Sequence, residues 1–294
     1  MRKLLFSIVA VLSVSLMFAQ SNTSDVYQLG SGNDSDVSQT GFMNNSDVDQ
    51  LGDDNESDVV QVGQTNGHVT LQDGNRNDSD SEQLGNNNNA FVTQVGNDNT
   101  SVDNQDGNFN GSVVIQTGSD NDSSVDQVGN ANNSLVNQNG DRNESDVDQA
   151  GNNNGSGVAQ VGNDNDSDVD QDGTLNNSSV FQQGSLNESS VEQVGDFNFS
   201  DVKQLGDNNF SIVEQFGNSN ISAVIQTGND NISGVGQYGN GNASSVVQNG
   251  MGHFSVVIQD GNNNGSTVSQ SGTTHTSWVF QIGNGNSSTV TQSN

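Results

Sequence analysis

The sequence predicts an all-β fold: an amyloid-like β-solenoid of about twelve 22-residue rungs, each rung built from two 11-residue strand-and-arc units, with two parallel sheets face to face. Three observations lead there. Gln recurs every eleven residues from Gln28 to Gln292, 25 times in 25, without insertion or deletion. Gly follows two residues after each of the first 24, and Asn follows five after in 22 of those 24. Ser stands four before Gln in 23 of 25 units and Val two before in 22, so Ser, Val and Gln alternate along one strand face.

Composition alone points elsewhere. At 28% hydrophobic, 5% aromatic and a formal charge of −31, the chain falls near the disordered class. A disordered polar tract has no reason to hold phase over 25 units, and the phase decides the matter. A right-handed coiled coil also has an eleven-residue period. It needs apolar residues three and four apart among good helix formers, whereas here Gly recurs every eleven residues and Asn, Ser, Asp and Val fill most of the rest. Gly and Asn instead supply the chemistry of a turn.

In chain order, residues 1–19 read as a secretory signal peptide: Arg2 and Lys3, an apolar run, then Ala19. Residues 20–23 form a short leader, and the repeats fill 24–294. Without the signal peptide, Arg76, Arg142 and Lys203 face 36 acids, a balance of 3 − 36 = −33. No later segment is apolar enough to span a bilayer. Cys is absent, so repetition takes the place of disulfides in an exported chain.

Stacked rungs set each residue about 4.8 Å from its equivalent. The inward residues predicted to form amide ladders include Gln28 and Gln50, then Gln127, Gln138, Gln149 and Gln160, and on the arcs Asn121, Asn132, Asn143 and Asn154, with Gly129 and Gly140 turning the chain. A buried carboxamide is costly only when unpaired, and the identical rung above supplies its partner. A one-residue slip would turn Ser, Val and Gln outward, so the register is strongly specified.

The word Ser-x-Val-x-Gln-x-Gly-x-x-Asn, in phase from residue 24 to 292, resembles the curlin repeat, the unit of the secreted bacterial amyloid fibres called curli. The resemblance implies a solenoid subunit that polymerises outside the cell into adhesive biofilm fibres. It also implies export through a dedicated outer-membrane pore and a companion subunit that nucleates growth.

The outward positions vary and carry the rest. The sheet holding Gln39 and Gln61 has 11 acids in 24 outward positions three and one before Gln, against 4 in 26 on its partner, where Val69, Leu71, Phe91, Val113, Ile115 and Phe181 point out. Stacked carboxylates keep sheets apart and soluble. Alternatively Asp146, Asp148, Asp168 and Asp170 could hold divalent cations such as Ca2+ between rungs, although no EF-hand or Gly-Gly-x-Gly-x-Asp pattern occurs. Beyond Glu214 only Asp230 and Asp260 are acidic, and there Val256, Ile258, Trp278, Phe280 and Ile282 turn outward as a patch for docking a subunit, a nucleator or a surface. His253 and His275 replace Asn on adjacent rungs, where a stacked imidazole pair could bind metal or respond to pH, or imidazole simply substitutes for a turn amide; His68 stands alone at a Ser position.

No P-loop, zinc spacing or credible Ser/His/Asp set is present, and no cofactor is implied. The charge excludes nucleic acid as a natural partner. The expected function is a non-enzymatic structural subunit whose exposed end strands pair head to tail. Its rivals are a monomeric solenoid adhesin or ligand binder, an ice-binding face, which needs more than the Thr289 and Thr291 pair, and a β-helix enzyme, which needs cleft-forming loops.

Overall fold

The computed structural model describes residues 21–294, so the signal peptide assigned to residues 1–19 lies outside the described part. Twenty-five strands, from β1 (Thr23–Leu29) to β25 (Ser287–Ser293), follow one another, with no helix among the described residues. Odd-numbered strands form a 13-stranded parallel sheet and even-numbered strands a 12-stranded one. Every pairing is offset by one rung of 22 residues, as in Gln127 beside Gln149 and Gln138 beside Gln160. Of the short leader, Asn22 is already tied in, since its Oδ1 accepts the Asn44 N–H at 3.1 Å.

From β3 (Asn45–Leu51) to β24 (Thr276–Ile282) the strands bury the Ser, Val and Gln positions and leave most of what lies between exposed or half-exposed, the period-two pattern of a sheet with one wet face. At the ends the pattern fades: Gln28, expected inward, is exposed on β1, which no rung covers among the described residues, and the inward positions of β2 (Asp34–Phe42) and β25 are half-buried. Seventeen valines from Val92 to Val279 pack into one continuous column. Val48 and Val59 are equally buried but stand apart from that column, because Thr70, Ser81 and Asp103 occupy the positions between. Thr70 Oγ1 lies 3.4 Å from Ser79 Oγ, so the Val position of one unit faces the Ser position of the next. Most of these Ser hydroxyls are buried without a hydrogen bond. Their equivalents sit a full rung away, beyond hydrogen-bond reach. What Ser contributes is small size, which lets the two sheets close over the valines.

Each arc uses two left-handed positions. The Gly two residues after Gln has φ between 103° and 141° throughout. Two residues further on φ lies between 55° and 73°, whatever the residue, including Phe109, Leu175, Leu186 and Phe197. Such a conformation costs a non-glycine residue roughly 1–2 kcal/mol. The next residue, the buried Asn, offsets that cost with bonds to neighbouring rungs.

Candidate functional site

The amide ladders run the length of the core. Gln127 Nε2 donates to Gln149 Oε1 at 2.8 Å and across the core to the Gly111 carbonyl at 3.0 Å. Gln138 repeats this with Gln160 Oε1 at 3.0 Å and the Asp122 carbonyl at 2.8 Å. At the near end Gln28 donates to Gln50 Oε1 at 2.7 Å. One N–H of each interior amide therefore builds its own sheet, and the other binds the opposite one.

The Asn ladders lock the arcs in the same way. Asn121 Nδ2 donates to the Gly140 carbonyl at 2.8 Å, and its Oδ1 accepts the Asn143 backbone N–H at 3.0 Å. Asn132 holds the Gly151 carbonyl at 3.1 Å and accepts the Asn154 N–H at 3.0 Å. Gly129 and Gly140 belong to two bare backbone columns, one for each set of arcs, in which an added Cβ would fall 1.9 and 1.8 Å from the next rung's carbonyl oxygen.

Replacing Gln149 by Leu would strand two polar groups, a Gln127 N–H and Gln171 Oε1, and remove a further bond to the Asn133 carbonyl. Each buried unpaired group costs about 1–3 kcal/mol. The guanidinium midpoint of Gln149→Leu should therefore fall clearly below the parent's, whereas Leu at the outward neighbour Asp148 should leave it nearly unchanged.

His253 takes the part of an Asn. Its Nδ1 accepts the His275 N–H at 3.2 Å, so the proton sits on Nε2, which reaches the Asn249 carbonyl at 3.3 Å. The two rings stack 5.3 Å apart and 2° from parallel. Imidazole fits this column because it offers one acceptor and one donor in the geometry of a carboxamide.

The five departures from the Ser and Val positions, His68, Thr70, Ser81, Ala90 and Asp103, fall together on four successive strands, β5 (Gly67–Asn75), β6 (Asp78–Asn86), β7 (Asn89–Asn97) and β8 (Thr100–Asn108). His68 is buried, with Nε2 3.2 Å from Thr70 Oγ1 and Nδ1 unpaired; burial lowers its pKa to about 4. Ala90 lies beside it on the next rung and leaves room for the ring. Asp103 is fully buried between Ser81 and Val125, and neither oxygen makes a hydrogen bond of good geometry. Burial pushes its carboxyl up to about 7, and the Ser112 hydroxyl opposite offsets this only in part.

On the acidic face Asp146 pairs with Asp168 and Asp148 with Asp170, all four exposed. Asp148 rises to about 6 through partial burial and then through repulsion from Asp146 and Asp126. Burial and neighbouring acids likewise raise Asp168 and Asp170. Among the described residues no three His, Asp or Glu side chains converge as a metal-binding group; the carboxylates form open rows. Arg76 and Arg142 bridge rungs to Asp98 and Asp164, and the Lys203 ammonium lies 5.7 Å from the Phe181 ring centre.

Near the far end, β22 (Phe254–Asp260) pairs with β24 (Thr276–Ile282), setting Val256 beside Trp278 and Ile258 beside Phe280. Val256 and Ile258 are half-buried, while Trp278, Phe280 and Ile282 are 58%, 59% and 80% exposed. Trp278 stacks on Phe280 at 6.2 Å and tilts against Phe254 at 5.1 Å. Among the described residues β1 pairs only with β3 (Asn45–Leu51), and β25 only with β23 (Gly265–Thr273).

Fold and ladders define a structural repeat protein, whose chemistry is spent on stacking like on like. The family model of the curlin associated repeat matches residues 36–63, 66–96, 124–151, 140–173, 162–195, 187–217, 195–228, 206–239 and 261–293, so the chain belongs to the curlin repeat family. No curated protein matches it. No helix among the described residues is long and apolar enough to cross a membrane.

Proposed function

We propose that this chain is a secreted, non-enzymatic subunit that polymerises head to tail into extracellular curli-like amyloid fibres, serving adhesion and the biofilm matrix. The observation that carries this reading is that, among the described residues, the outermost strands each pair on one side only and repeat the same Ser-x-Val-x-Gln word, so one end offers the template that the other completes. A heterologous contact of this kind does not close on itself and yields a filament with strands across its axis. The amino-terminal apolar segment fits export, and membership of the curlin repeat family fits a route through an outer-membrane pore and a nucleating partner.

Incubating the mature chain, residues 20–294, should give concentration-dependent fibres with a meridional cross-β reflection near 4.8 Å. Lasting soluble monomers under the same conditions would instead favour a solitary solenoid adhesin or ligand binder.

A further inference from the structure

The odd number of strands among the described residues governs how two copies can meet. With 13 strands in one sheet and 12 in the other, the outermost strands β1 and β25 both belong to the larger sheet. Stacked in the same orientation, two copies would set β1 on β25. The β24 of one copy and β2 (Asp34–Phe42) of the next would then face each other across a vacant strand position, about 9.6 Å apart at two rung spacings. Gln281 and Gln39 would be left unbridged on that side. A half-turn of the second copy about the stacking axis removes the vacancy: β1 falls on β24, β2 falls on β25, and each step is one rung.

Resting on the head-to-tail reading above, we propose that successive subunits are related by this half-turn screw, with the aromatic end of one copy's smaller sheet seated under the first strand of the next. The hydrogen-bond ladders fit it. Gln281 and Gln292 each donate one N–H across the core, to the carbonyls of Gly265 and Thr276, and lack the second, ladder bond that interior glutamines make. In the half-turn arrangement those N–H groups meet Gln28 and Gln39 of the next copy, and both ladders continue.

The outward side chains fit as well. In register, Tyr27 stacks on Phe280 and Leu29 on Ile282, joining residues that are 54%, 59%, 60% and 80% exposed in the single chain. The chain already contains such a pair one rung apart, Phe216 and Tyr238, stacked at 5.6 Å and 10°. On the other side Thr289 and Thr291 fall beside Asp36 and Ser38, hydroxyls against a carboxylate and a hydroxyl. The same-orientation stack would put Tyr27 and Leu29 on Thr291 and Ser293 and leave Trp278, Phe280 and Ile282 uncovered. The half-turn also sends the acidic faces of neighbouring subunits to opposite sides of the fibre, which separates their like charges.

The chain has no Cys, so engineered disulfides report the contact directly. Two double variants, Tyr27→Cys with Phe280→Cys and Tyr27→Cys with Thr291→Cys, would be elongated from parent fibre seeds under reducing conditions and then oxidised. One rung lies within the Cα separation a disulfide needs. Within one chain the first pair is more than eleven rungs apart, so any bond is between subunits. The expected result is disulfide-linked multimers on a denaturing gel for the Phe280 pair and none for the Thr291 pair. Multimers through Thr291 alone, or none from either pair in well-formed fibres, would overturn the half-turn and leave head-to-tail growth standing. Failure of the parent itself to form fibres would overturn both.

Discussion

Gly129→Val should abolish the fold around its rung, with a loss above about 4 kcal/mol, at the far end of what single substitutions do. Two independent obstacles meet at this residue. Its φ of 118° lies where only Gly is comfortable, and a Cβ there would sit 1.9 Å from the Gly151 carbonyl oxygen, which is backbone and cannot turn away. Gly107 stands against Gly129 in the same way, so a shift at one rung is passed to the next. The control is Gly157→Val: that residue points outward, and a Cβ there meets nothing within 4 Å. Circular dichroism and guanidinium unfolding should separate the two variants sharply, with Gly157→Val close to parent.

Asp103→Val, which restores the residue found at this position in most units, should stabilise the protein by a few kcal/mol at pH 7 and above. The sign follows from the carboxyl's pKa. Its ordinary value of 3.8 is raised to about 7 by burial, so the folded chain holds a proton that the unfolded chain releases. Stability is therefore whole below about pH 4, falls as pH rises toward 7, and stays low above it. The advantage of Asp103→Val should grow through that window and then level off.

The groups packed on Asp103 from neighbouring strands, Ser81, Val125 and Ser112, do not titrate in this range. The other buried titratable side chain of this region, His68, works in the opposite sense. Its pKa is lowered from 6.5 to about 4, so its contribution is lost as pH falls through that interval. His68→Ser should accordingly gain most at low pH, and unfolding both variants from pH 4 to 8 would show the two gains running in opposite directions.

The period, the strand alternation and the inward set Ser, Val, Gln were readable in the sequence because a rung that templates the next must repeat its inward chemistry. The arcs were only partly readable. Gly and Asn announced a turn, but the left-handed residue between them is Phe109 in one arc, Arg142 in another and Leu175 in a third, so no residue type marks it. Its conformation is fixed by the buried Asn that follows and by the Gly that precedes.

The five departures were visible one by one. Their meeting in one stretch of core depended on knowing that the Val position of a unit faces the Ser position of the next, as Thr70 and Ser79 do. That imidazole stands in for a turn amide at His253 was legible from its place at an Asn position; that Nδ1 is the nitrogen accepting from the His275 N–H was not. The outward patch was legible, since Val256 and Trp278, like Ile258 and Phe280, lie 22 residues apart; that Val256 and Ile258 are half-buried was not.

Every 22 residues advance the chain by one inter-strand spacing along a single axis. Spin labels on paired cysteines test it directly, in fibres diluted with unlabelled chain, because the sequence has no native Cys. Ser38 and Asp148 lie five rungs apart, and Ser38 and Ile258 ten. Double electron–electron resonance should give narrow distances of about 24 Å for the first pair and about 48 Å for the second, five and ten times the rung spacing. Broad distributions, or a second distance that is not twice the first, would contradict the stacked-rung account.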